Sequence, residues 1–438
     1  MAIRWLRPVL PWAAALGIAA AVTWGAMGMW SAADPRRAED AVAVYLPARA
    51  LYLGVDPTDR AVLDGLFRRE SATGVATGVL STLYPPPLAV ALFRQTAGGW
   101  GPFLAIWRAI VLVGLLAGSA MVGWAAARGR LAPLGAALGA AVALTHPLTR
   151  HALELGQANL LIAGLFGAAI CAAALDAGAA VAVATVIGIG VKLVPGVALW
   201  PLLAARRWRA VGIAAALGVG VALVTVGFIP VDRVVSSLLD TVRFQQGVVP
   251  AWVSPEENRW STLLGVFRFG PLGFVSLVIA GVCASDGRSR PAVIAAAIAL
   301  MVAWLGTASA AVGVFYGLFL LPPAILVALW PLEAGASRRT WLAPLVIALP
   351  FVFVRSPDDA VEAALEMMLV GLLVWGATVI RLGMAARGAL TRRSAGIIAV
   401  SVVLALGYTA RIGLFPPPAP TMAPPVTPQQ GPHAGPRR

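Results

Sequence analysis

Cysteine, histidine and charge are all scarce in this chain of 438 residues. Its two cysteines, Cys171 and Cys283, lie in or at the end of apolar runs, which offers neither a disulfide framework nor a thiolate metal cluster. His146 and His151 are five apart and His433 sits near the C-terminus, so no metal-ligand spacing results. No metal and no cofactor is expected on these grounds. Charged residues make up 12% of the chain, about half of what a soluble protein of this length carries. Any internal repeat is also too weak to defend. What remains is apolar: 60% of residues are hydrophobic and the mean hydropathy is +0.85.

That much apolar surface needs a partner other than the chain's own core, and a lipid bilayer supplies it. Apolar runs of about 17–25 residues, enough to cross about 30 Å of hydrocarbon, recur along most of the chain. Only helices or closed barrels satisfy backbone polar groups there. Runs this long and this rich in Ala, Leu and Gly read as helices. The fold class is therefore all-α, a polytopic membrane protein with about 11 spans plus short re-entrant or interfacial helices.

The formal net charge is +14, from 33 Lys and Arg against 19 Asp and Glu. Nucleic acid is not the implied partner, because no basic face interleaved with aromatics accompanies the charge. Instead the arginines gather in short loops between apolar runs, as the positive-inside rule requires. Arg4 and Arg7 put the N-terminus in the cytoplasm, and a run near 9–30 reads as a retained first helix rather than a cleaved signal. Basic loops at 128–130, 206–209, 288–290, 338–339 and 381–393 mark the same side. Spans are expected near 102–126, 131–145, 158–176, 210–229, 270–284, 292–308, 312–331, 341–354, 361–380 and 395–412.

Two segments break the pattern. Residues 86–97 would rise only about 18 Å as a helix, too little to cross. Residues 178–205 carry Lys192 and Pro195 in their middle, the mark of two half-helices lining a cavity. Two polar stretches, 31–83 and 230–267, fall on the outer side and could roof one site. Within the first, residues 59–70 place Val62, Leu63, Leu66 and Phe67 on one face, the pattern of a helix lying on the membrane surface. Residues 1–414 read as one membrane-embedded domain. Residues 415–438 read as a disordered Pro-rich tail.

Three stretches say more than membrane helix. The first is Asp40-Ala-Val-Ala-Val-Tyr45-Leu-Pro-Ala-Arg49-Ala-Leu-Tyr-Leu-Gly54-Val-Asp56, followed later by Tyr84-Pro85-Pro86. The second is Gly156-Gln157-Ala158-Asn159. The third is Lys192-Leu-Val-Pro195, ending in Arg206-Arg207-Trp208-Arg209. In this order the sequence resembles glycosyltransferase family 87, polyprenol-phosphate-mannose-dependent α-mannosyltransferases of the GT-C fold. The motifs cover about the first half of the chain. The second half resembles the family only in hydropathy and in a loose segment from Asn258 to Arg268. It departs where the family often carries a His-His pair: Phe315-Tyr316 stand there instead.

The resemblance implies a polyprenyl-phosphate sugar donor, a glycolipid or glycan acceptor, and a GT-C-like site facing the outside or periplasm of the cell (inner) membrane. It also implies the role of catalytic base for Asp40, which the residues alone would leave as a solvated loop carboxylate; Asp34 is the runner-up. Lys192, an ionisable group in an apolar run, is a functional suspect by default. It would meet the donor phosphate, or else snorkel or pair with a carboxylate. Arg150 and His151 are candidates for phosphate or sugar, or for anchoring a helix end. Gln157 and Asn159 would cap a helix or bond sugar hydroxyls. Tyr84, Arg243 and Arg259 complete the substrate-binding candidates. The rival readings are the same fold with another donor sugar, and a transporter or flippase of lipid-linked sugars. A transporter would concentrate charge at mid-membrane and carry an inverted repeat, whereas here the carboxylates gather in the outer stretches.

Overall fold

The computed structural model describes residues 9–70, 84–247, 271–309, 314–329 and 360–414. Among them every regular element is a helix, and the chain is an all-α polytopic membrane protein. Helix α1 (Leu10–Ala32) leads into α2 (Glu39–Tyr52), α3 (Arg60–Arg69) and the short α4 (Pro86–Leu92). Next come α5 (Trp100–Ala127), α6 (Ala132–Thr145), α7 (Pro147–Leu155), α8 (Asn159–Ala174), α9 (Gly178–Val191) and α10 (Leu199–Ala204). The remainder is α11 (Trp208–Phe228), α12 (Val231–Gly247), α13 (Gly273–Asp286), α14 (Pro291–Ser309), α15 (Leu321–Leu329), α16 (Ala360–Ala385) and α17 (Arg392–Leu414).

Helices α1, α5 and α11, of 23, 28 and 21 residues, are long and apolar enough to cross a bilayer. Helices α1 and α11 are apolar all round yet bury little: only Ala15 and Val22 in α1, and Ala210, Ala214 and Thr225 in α11. A helix with that profile faces lipid. Helix α14 is the opposite case, with Val293 through Ala303 buried against protein on every side. Helix α5 packs closely on both α6 and α8 because glycines line both seams. A Cβ on Gly118 would lie 1.9 Å from the carbonyl oxygen of Gly164, and one on Gly123 would lie 2.0 Å from that of Gly135.

The two irregular segments are short elements, as their sequence implies. Residues 86–97 form α4 and a 3-10 turn, Phe93–Thr96. Residues 178–205 break at Lys192, whose backbone is extended at φ −155° and ψ 145°. A 3-10 turn, Val194–Ala198, and α10 follow it. A further break, at His146-Pro147, bends α6 against α7 by 65°. The imidazole Nδ1 of His146 there accepts the Leu148 N–H.

Three expectations change. The described part of the stretch 31–83 is not loop but packed helix, because α2 buries eight residues from Ala41 to Ala50. Helix α3 does not lie on lipid: Leu63 and Leu66 are buried in the protein core, since α2 offers a closer apolar surface than the bilayer does. The run 312–331 is divided into a 3-10 segment, Val314–Leu320, and α15. Pro322 and Pro323 lack N–H donors, so the α-helix restarts with them in its first turn. In the second outer stretch, residues 231–247 form α12. The span expected at 341–354, the segment around Asn258 and the tail from 415 lie outside the described residues.

Candidate active site

The site forms where α2, the α7–α8 junction and the break after α9 meet. Asp40 lies in the first turn of α2, half-buried. Gly156 ends α7 in the left-handed conformation at φ 71°. That turn lets the chain double back beneath α2 and brings Gln157 against Asp40. The Nε2 of Gln157 donates to the Asp40 Oδ2 at 2.6 Å. Two residues on, Asn159 is 1% exposed, and its Oδ1 accepts from the Lys192 Nζ at 2.9 Å. Lys192 is 3% exposed, and its ammonium stands 5.8 Å from the centroid of the Tyr84 ring.

Asp40 and Lys192 act on each other electrostatically. Burial pushes the Asp40 carboxyl up to about 6, with Glu39 adding to the rise; the Lys192 ammonium and the Gln157 hydrogen bond offset part of it. A carboxylate tuned toward neutrality is fit to take a proton from a hydroxyl. Tyr84 also walls a small crevice of about 20 Å³ between α2, α4 and the α11–α12 junction, lined by Val44, Pro47, Pro86, Leu88 and Ile229. Its wall mixes apolar side chains with Thr58, Tyr84 and Ser237, and Ile229 in it directly follows α11.

The structure thus brings together Asp40, Gln157, Asn159, Lys192 and Tyr84. It sends other candidates elsewhere. Arg150 and His151 lie on α7 with exposed side chains, next to Glu154 at 3.2 Å and 3.8 Å. The Asp34 Oδ1 accepts from the Arg36 N–H and so caps a turn. Gln157 and Asn159 cap no helix; their amides go to Asp40 and Lys192. Arg243 falls on α12 and its side chain lies outside the described residues, as does all of Arg259.

Sequence reasoning missed the residues that frame the site. Arg108 on α5 is 4% exposed, and its guanidinium donates to four carbonyls. Nε reaches Leu153, Nη1 reaches Ala33, and Nη2 reaches Asp34 and Glu154. It ties the end of α1 and the last turn of α7 to α5. The signal was legible: an arginine inside an expected span. Glu154 gathers Arg37 at 3.6 Å as well as Arg150 and His151. Glu70 accepts from the hydroxyl of Tyr45 and, at 2.8 Å, from the Arg49 Nε. Arg49 also donates to the Thr96 carbonyl, so the motif's Tyr and Arg lock α2 to the end of α3 and to the 3-10 turn after α4.

A family model described as glycosyltransferase family 87 matches residues 82–321. No curated protein and no solved structure matches the chain. The matched span holds Tyr84, the Gly156-to-Asn159 motif and Lys192, while Asp40 precedes it. With over half its length matched and a bundle of apolar helices around the site, the chain belongs to glycosyltransferase family 87 and is a membrane glycosyltransferase.

Proposed function

We propose that the protein moves mannose from a polyprenyl-phosphate donor to a lipid-linked or glycan acceptor at the outer face of the cell membrane, with inversion. The acceptor hydroxyl oxygen attacks the anomeric carbon and forms the new glycosidic bond. Its proton passes to the Asp40 carboxylate. The bond from the anomeric carbon to the phosphate oxygen breaks, and its electron pair leaves with the polyprenyl phosphate. The Lys192 ammonium stabilises that departing charge.

One observation carries the reading. A carboxylate with a pKa of about 6 and a buried ammonium share one electrostatic neighbourhood, with the Tyr84 ring beside the ammonium. That layout suits an amphiphilic donor whose phosphate approaches the cation while its isoprenoid stays in lipid.

The test is transfer of labelled mannose from synthetic polyprenyl-phosphate-mannose by purified wild type and Asp40→Ala. Wild type should transfer label and the variant should fall by about 10³-fold or more, the scale of losing a general base with its orientation. Undiminished turnover by Asp40→Ala would remove the assigned base. Transfer from another polyprenyl-phosphate hexose but not from the mannose compound would keep the fold and change the donor.

A further inference from the structure

We infer that Gln157 and Asn159 are positioning residues that hold the base and the phosphate-binding cation as two separate charges, rather than groups that bind sugar hydroxyls. The inference rests on the proposed roles of Asp40 and Lys192 and goes beyond them by assigning their amide partners.

The geometry is complementary. Gln157 turns its amide N–H to the carboxylate. Asn159 turns its amide oxygen to the ammonium. A neutral amide therefore meets each charge, each by the end of opposite polarity. Both side chains come from one turn of chain, Gln157-Ala158-Asn159, set by the left-handed Gly156. Its position is fixed from outside: the Trp107 Nε1 donates to the Gly156 carbonyl at 2.7 Å, and Ala158 is fully buried. The turn cannot shift without disturbing both contacts.

The arrangement has a chemical consequence. An aspartate and a lysine in direct contact would each satisfy the other, and a carboxylate so paired is a poor base. It would also turn the ammonium away from the incoming phosphate. Amides orient both groups at lower electrostatic cost and leave their charges in place. Asn159 is buried and its Oδ1 is already engaged by the Lys192 ammonium. Gln157 has its Nε2 already committed at a short distance.

The experiment separates positioning from substrate binding. Asp40, the group being tuned, is read directly as the carboxylic-acid infrared band that titrates in wild type and vanishes in Asp40→Asn. Transfer kinetics are measured beside it, against pH and both substrates. Gln157→Leu should move the Asp40 titration and the acid limb of kcat to higher pH, with KM for donor and acceptor within about twofold of wild type. Asn159→Leu should raise KM for the donor at least fivefold, with acceptor KM unchanged, and Asn159→Asp, which pairs the ammonium directly with a carboxylate, should raise it as well. An unmoved Asp40 titration in folded Gln157→Leu overturns the claim for Gln157. An acceptor KM raised in either variant overturns positioning in favour of sugar contact. Should Asp40→Asn retain wild-type turnover, the functional reading fails instead, and the infrared titration still decides whether Gln157 tunes the carboxyl. Helical circular dichroism and a cooperative melt check that each variant is folded.

Discussion

Gly156 and Ala41 touch through the gap a missing side chain leaves: a Cβ added to Gly156 would lie 2.6 Å from the Cβ of Ala41. Ala41 follows Asp40 on α2, and Gly156 precedes Gln157. The close approach of these two small residues is what lets the Asp40–Gln157 hydrogen bond form. It joins helices 115 residues apart in sequence.

Replacing Gly156 with alanine therefore costs twice, once for the left-handed φ and once for the clash. The expected loss is about 2–4 kcal/mol, measured as a drop in the melting temperature of the detergent-solubilised protein. Mannose transfer should fall with it, because α2 is pushed away from the turn that carries Gln157 and Asn159. A variant as stable and as active as wild type would show that the approach is incidental.

The raised pKa of Asp40 makes a prediction about stability as well as rate. In the folded chain the carboxyl binds its proton up to about 6, against 3.8 as the ordinary value. Between those values the folded state holds more protons than the unfolded one, so stability falls as pH rises through that window and stays lower above it. Asp40→Asn removes the penalty. Discounted for partial exposure, it should gain about 1–2 kcal/mol at pH near 7.5 and nothing at pH near 3.5. Thermal melts at the two values check the sign.

The same shift sets the pH profile of the reaction. Transfer by wild type should rise with pH through about 6 and level off above it, as the base loses its proton. Lys192→Met removes the positive charge that holds Asp40 down. Its acid limb should therefore move to higher pH, and the KM for the polyprenyl-phosphate donor should rise about 10- to 100-fold. Lys192→Arg should recover part of the donor affinity. A limb that stays at the wild-type pH in Lys192→Met would separate the two charges.

Arg108 is predicted to matter through structure. Arg108→Leu leaves four carbonyls without their guanidinium donors, and three of those bonds are buried. A loss of roughly 3–5 kcal/mol is expected. Arg108→Lys should rescue it only in part, because one ammonium cannot reproduce the planar fork. Melting temperatures of the three proteins decide it.

The helical class, the membrane setting, the break at Lys192 and the short element near residue 90 were legible without coordinates. Each follows from local quantities: run length, the helical rise per residue, and the cost of burying an ammonium or interrupting a helix with proline. The family too was carried by linear motifs that need no geometry to be recognised.

What the linear pattern left open was what each polar group touches. Gln157 and Asn159 read equally as caps or as sugar contacts, because an amide offers both donor and acceptor. Only their placement on a turn fixed by Gly156, Ala41 and Trp107 sends one to Asp40 and the other to Lys192. Helix α3 carried a surface-helix pattern that local sequence alone supports, yet α2 covers its apolar face. Arg150 and His151, candidates for phosphate or sugar, stand on an exposed face of α7 beside Glu154, one turn along the same helix.

The sequence by itself determined that this protein lives in a bilayer, as helices, and in which family it belongs, since hydropathy and motif spacing are properties of the chain. Tertiary structure alone decided that a carboxylate on α2 meets the amide of Gln157 while an ammonium after α9 meets that of Asn159. Those contacts span 117 and 33 residues, and nothing local encodes a meeting that depends on how whole helices pack.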